Sequence, residues 1–135
     1  MRKARTARTI VLAFAAIVAG AHLSLHPALS SEDDPVADEV KANGDHERGE
    51  KLYNRYCRGC HGEEGKGDGL TFQPHVDNLT KKGYIEKLPD SYLLLAITKG
   101  GAGIGKSNAM PSWDGTLSKQ QMFDIIAYIR SLPLN

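Results

Sequence analysis

The sequence has two cysteines, three methionines, one tryptophan and 7% aromatic residues. Two cysteines cannot build the multi-bridge framework that staples many small exported domains. No apolar run reaches the roughly 20 residues that cross a bilayer as a helix. The longest, Ile10 to Ala21 (IVLAFAAIVAGA), has twelve. No segment alternates apolar and polar residues as a half-buried strand would, and no internal repeat is visible. Acids are missing from the first ten positions, which hold Arg2, Lys3, Arg5 and Arg8. Setting aside those four of the 17 basic residues leaves 13 against 16 acids, a net of −3. A chain with that balance lacks the basic patch that DNA or RNA requires, so no nucleic-acid partner is expected.

Basic residues, a short apolar run and then small residues are the three parts of a secretory signal. Residues 1–30 are therefore predicted to be a signal peptide, with cleavage after Ala21 or Ser30. The protein would then be exported and periplasmic. Retention of this segment as an anchor is the alternative, and the only route to membrane association. Ser31 to Asn43 (SEDDPVADEVKAN) is acidic, contains a proline and has no aromatic residue. Residues 31–44 are accordingly expected to be a flexible linker. That leaves residues 45–135 as one domain, small enough for its own core to be marginal.

The domain is predicted to be all-α, with three main helices and long loops. The first runs over 46–56, with Asp45 as N-cap and Gly49, Leu52, Tyr53 and Tyr56 on one face. The second runs over 90–99, between Pro89 and Gly100. The third starts at Ser118-Lys119-Gln120-Gln121, which has the form of a capping box, and stops before Pro133. The intervening segments are rich in Gly, Pro, Asn and Asp. Loops that long are uncommon unless something organises them, and an apolar cofactor would supply the missing core.

Cys57-Arg58-Gly59-Cys60-His61 is the local signature of covalent c-type haem attachment. Two thiols can add to the two haem vinyl groups, and the adjacent histidine can reach the iron. A thioredoxin-like redox pair would need a βαβ context that the sequence lacks. A zinc site would need a fourth ligand from His75 or His46, and adjacent Cys60 and His61 are poorly spaced for zinc.

The run Tyr56-Cys57-Arg58-Gly59-Cys60-His61-Gly62-Glu63-Glu64-Gly65-Lys66-Gly67-Asp68-Gly69 resembles the class I bacterial cytochrome c family, and the resemblance extends over residues 45–132. It implies a small cytochrome c-like domain wrapped around one haem c, attached at Cys57 and Cys60 with His61 as proximal iron ligand. Gly49 and Tyr53 would cross Ile125 and Tyr128 of the C-terminal helix. Met110, in the Met110-Pro111 pair, matches the family's distal position, and a thioether there raises the reduction potential. His75 is the rival sixth ligand. The resemblance also offers Pro74 as a carbonyl acceptor for His61 Nδ1, and a turn proline is the alternative. Trp113 packs beside the haem or is a core residue.

Gly100-Gly101-Ala102-Gly103-Ile104-Gly105-Lys106-Ser107 satisfies the pattern of a phosphate-binding loop. That pattern works between a strand and a helix, whereas here a helix precedes it and Pro111 follows. The match is read as chance. The expected function is electron carriage, either free or as a subunit. With both axial positions filled, the chain would be neither an enzyme nor a binder of a small-molecule substrate. Its partners would be redox proteins: a dehydrogenase, reductase or oxidase.

Overall fold

The computed structural model describes residues 34–135. The signal peptide expected over 1–30 lies outside the described residues. Among the described residues five helices follow one another: α1 (Pro35–Asn43), α2 (His46–Tyr56), α3 (Arg58–His61), α4 (Asp90–Gly103) and α5 (Lys119–Ser131), with a 3-10 turn at Ile85–Lys87 before α4. The described residues contain no strand, so the expected all-α class holds. None of the described helices is long and apolar enough to cross a membrane.

The three expected helices form, and their ends follow from local chemistry. Asp45 accepts hydrogen bonds from the Glu47 and Arg48 N–H groups at the start of α2. Ser118 and Gln121 complete the capping box of α5 in both directions. The helical path of α4 breaks at Gly100, whose φ of 69° is open to glycine without strain.

The expectation of a flexible linker over 31–44 is overturned for its described part, because residues 35–43 are helical and packed. Asp34 accepts from the Val36 N–H and Pro35 occupies the first turn, where a missing N–H removes nothing. Val40 is 5% exposed within the core, and Val36 packs one turn away. A second contact fixes the helix. The other Asp34 carboxylate oxygen accepts from the Ser91 N–H at 2.9 Å. One side chain thus caps both α1 and α4, and α4 has no side-chain cap of its own at Pro89. Of the described acids, Asp38 and Glu39 lie on the outer face, where Glu39 pairs with Lys119 at 2.8 Å.

α2 and α5 cross at Gly49. A Cβ there would stand 1.9 Å from the Asp124 carbonyl oxygen and 2.9 Å from Tyr128 Cβ, so only glycine permits this approach. Tyr53, Ile125 and Ile126 are completely buried around the crossing, and the Tyr53 and Tyr128 rings meet at 5.1 Å. Asp124 is buried beside them at 2% exposure. It accepts from the Asp45 N–H, from two nitrogens of Arg48 and from Gln120. Burial pushes its carboxyl upward, but Arg48 and the other donors outweigh burial and hold it below the usual carboxylate range.

Candidate haem site

Cys57 ends α2, its N–H donating to the Tyr53 carbonyl at 2.8 Å. The backbone turns directly into α3, which carries Cys60 and His61 on a single turn. Gly62, at φ 80°, ends that turn, and its carbonyl accepts from the buried Tyr53 hydroxyl at 2.9 Å. The loop beyond is tied back to α3 by backbone bonds. Thr71 N–H donates to the Gly59 carbonyl, Gly67 N–H to His61, and Leu79 N–H to Gly65.

Met110 is held by the far end of α4. Its carbonyl accepts from the Gly101 N–H at 3.0 Å, and Trp113 N–H donates to Ile97. A Cβ on Gly100 would lie 2.6 Å from the Met110 oxygen, which explains the glycine there. Ser112 adds a hydroxyl bond to the Thr98 carbonyl at 2.6 Å.

These elements enclose a cavity of about 580 Å³ whose wall includes Cys57, Cys60, His61 and Met110. Tyr53, Leu93, Ile97, Ile125 and Ile129 make much of the remaining wall apolar. The volume is that of a pocket for an organic cofactor. All four expected site residues therefore come together. His75 lines the cavity as well, but it is exposed on the loop, whereas Met110 is partly buried and packs against the core.

The donor set suits haem. Neither cysteine is in a disulfide, and burial pushes the Cys57 thiol up to about 12. Burial lowers His61, an effect that nearby Asp77 partly offsets. His61 is thus a neutral imidazole, the form that ligates metal. Its Nδ1 is buried without a hydrogen-bond partner. The Pro74 carbonyl consequently does not take the role offered to it, and Pro74 sits exposed on a loop whose ends are fixed at Thr71 and Leu79. Among the described residues, no group of three or more His, Cys, Asp or Glu is placed to hold a metal ion, which leaves the zinc alternative without ligands. Trp113 is at once a wall residue and a packing residue, with its ring 5.4 Å from that of Tyr56.

Among the wall residues that sequence reasoning missed, two carry polar side chains that meet each other through a third. Tyr84 and Asp77 both line the cavity, yet they lie in the loop before α4, where no periodicity marks an inward face. The lysine of the phosphate-loop pattern, Lys106, points to them. Its ammonium pairs with Asp77 and accompanies the Tyr84 hydroxyl at 3.2 Å. The segment before it is helical, so no phosphate loop exists here.

An α fold of the described residues, built around an apolar cavity that carries a Cys-x-x-Cys-His turn on its wall, defines a c-type haem protein. A family model for cytochrome c matches residues 46–133. The chain belongs to the cytochrome c family, and its cofactor is one covalently bound haem c. It is an electron-transfer haem protein. Over 85 residues it is 33% identical to the Cbb3-type cytochrome c oxidase subunit FixP of Bradyrhizobium diazoefficiens, covering 63% of this chain and 27% of that protein. It spans about a quarter of the length of the curated relatives it matches. Among solved structures it is similar to a chain of the reducing HAO-like protein complex of Kuenenia stuttgartiensis, with a TM-score of 0.52 and 28% identity. That match covers 67% of this chain and 44% of the other. Cytochrome cL of Methylophaga aminisulfidivorans aligns with a TM-score of 0.50 and 25% identity, covering 76% and 59%.

Proposed function

We propose that the chain is a periplasmic mono-haem electron carrier, or the electron-transfer subunit of a larger redox assembly, and that it is not an enzyme. In this reading Cys57 and Cys60 would hold the macrocycle through thioether bonds, and His61 and Met110 would ligate its iron. The observation that carries it is the gathering of these four side chains on the wall of one apolar cavity. When bound, haem c supplies an iron that gains and loses one electron.

The chain's own part is to bind, orient and shield. Tyr53, Leu93, Ile97 and Ile125 exclude water from the cavity, which favours the less charged state of an enclosed redox centre. His61 enters as a neutral ligand and Met110 as a soft one, a combination that raises the potential. With His61 and Met110 both engaged as ligands, no position on the iron would remain for a small-molecule substrate. His75 stays the second candidate to ligate the iron alongside His61, because it shares the cavity wall. Its exposure, against the backbone anchoring of Met110, favours the methionine.

Export is supported by the basic and apolar start of the sequence, with a retained segment as the route to a membrane-anchored form. The partners are redox proteins: a dehydrogenase, a reductase or an oxidase. The relatives, an oxidase subunit and a component of an HAO-like complex, are in keeping with that range.

The test is a haem stain after denaturing electrophoresis of the full chain expressed with haem-attachment machinery. Stain is expected to travel with the polypeptide and to vanish in the Cys57→Ala/Cys60→Ala variant. An unstained wild-type band would overturn the proposal.

A further inference from the structure

Two loop segments line the cavity, one within residues 72–79, which follow His61, and the other within residues 104–111, which carry Met110. The first is anchored firmly. Leu79 N–H reaches the Gly65 carbonyl at 2.7 Å, and a Cβ on Gly67 would stand 2.2 Å from the Val76 carbonyl. The second is a glycine-rich turn in which Gly105, at φ 73°, has nothing packed over it. Its bonds run back to α4, from Lys106 N–H to Gly101 and from Gly101 N–H to Met110. Among the described residues, one polar side-chain link crosses from one segment to the other: the Lys106 ammonium on the Asp77 carboxylate. The same ammonium lies 3.2 Å from the Tyr84 hydroxyl and 5.8 Å from the centre of its ring. Lys106, Asp77 and Tyr84 are all wall residues of the cavity.

We propose that Lys106 is a positioning residue, whose ion pair with Asp77 and hydrogen bond to Tyr84 hold the Met110 loop against the segment that follows His61. This rests on the reading of Met110 as the distal iron ligand. The latch works on the loop and touches neither iron nor ligand. With the link in place, the turn cannot swing away from α4 without separating a cation from its carboxylate. Without it, the Met110 side chain stays in reach of the iron but leaves it more often. An exogenous ligand then competes better for the vacated position. Both partners are about half exposed, at 43% and 57%, so the effect is that of a solvent-screened pair.

The experiment measures imidazole affinity of the ferric holoprotein for the wild type, Lys106→Gln, Asp77→Asn and the exchanged pair Lys106→Asp/Asp77→Lys. Each single variant is expected to bind imidazole roughly two- to fivefold more tightly, the range that a partly exposed ion pair supports. The exchanged pair is expected to return toward the wild type. Raising salt to about 0.5 M should move the wild type toward the single variants and leave Lys106→Gln unmoved, because only the intact pair can be screened. Equal affinities and equal salt responses, in proteins that all keep the far-red band of methionine sulfur on ferric iron, would overturn the latch while leaving Met110 as ligand. A wild type lacking that band would overturn the Met110 reading and, with it, the latch.

Discussion

The helical face built from α1, α2 and α5 and the loop face around the cavity satisfy their polar groups in contrasting ways. On the helical face, buried charge is matched by charge or by helix N–H groups from distant parts of the chain. Asp124 collects four donors from Arg48, Asp45 and Gln120, and Asp34 caps two helices at once. On the loop face, backbone bonds between glycine-rich turns dominate, and a buried imidazole nitrogen stays unpaired. One face is thus complete in the polypeptide, whereas the other leaves an apolar cavity for the cofactor to fill.

The largest effect should come from withholding the haem. In the Cys57→Ala/Cys60→Ala chain, amide exchange in residues 62–80 and 101–113 is expected to accelerate on the order of 100-fold relative to the holoprotein. The α2 and α5 amides around Gly49 and Ile125 should keep most of their protection. A uniform loss across both faces would erase the contrast.

Gly49→Val attacks the helical face at its tightest point. Even a Cβ collides with the Asp124 backbone there, so the helices must part at a cost of about 3 kcal/mol, read as a lowered Tm of the holoprotein. An unchanged Tm would mean that the crossing is looser than described.

Asp124→Ala should cost about 2 kcal/mol, since it leaves the Asp45 N–H and Gln120 without their acceptor. The same carboxylate predicts a pH dependence. Its folded value lies below the ordinary 3.8, so its contribution is present above that value and is lost as pH falls through it toward the folded one. Acid titration of stability should therefore be shallower in Asp124→Ala than in the wild type. Matching acid profiles would show that the Arg48 pair contributes nothing.

Asp34→Ala is the mildest of the set. Removing this partly exposed shared cap should cost about 1 kcal/mol in all, spread over two helix starts. Urea unfolding should show a lowered midpoint, with α1 amides exchanging first. If α1 exchange is unchanged, the double cap is not what fixes that helix.

Much of this was legible in the sequence, because the decisive signals are local. The ends of α2 and α5 are set by Asp45 and by Ser118 with Gln121, whose side chains cap residues two or three positions away. The Cys57-x-x-Cys60-His61 turn is likewise contiguous. What escaped was long-range. Residues 34–44 look solvated by composition, yet Asp34-Pro35 followed by Val36 and Val40 is a capped helix start with a small apolar stripe. That stripe has value only because α4 and α5 lie beneath it. The Lys106 contact joins residues 29 apart in the chain, and no spacing rule points to it. Pro74 erred the other way, since a family-like position in sequence did not bring its carbonyl to His61.

The central claim is that the cavity holds iron between His61 and Met110. It is tested most directly by the ferric absorption spectrum of the wild type beside Met110→Ala and His75→Ala. The far-red band is expected in the wild type and in His75→Ala, and its loss is expected in Met110→Ala. A band missing from the wild type, or a change of axial ligation in His75→Ala with none in Met110→Ala, would contradict the account.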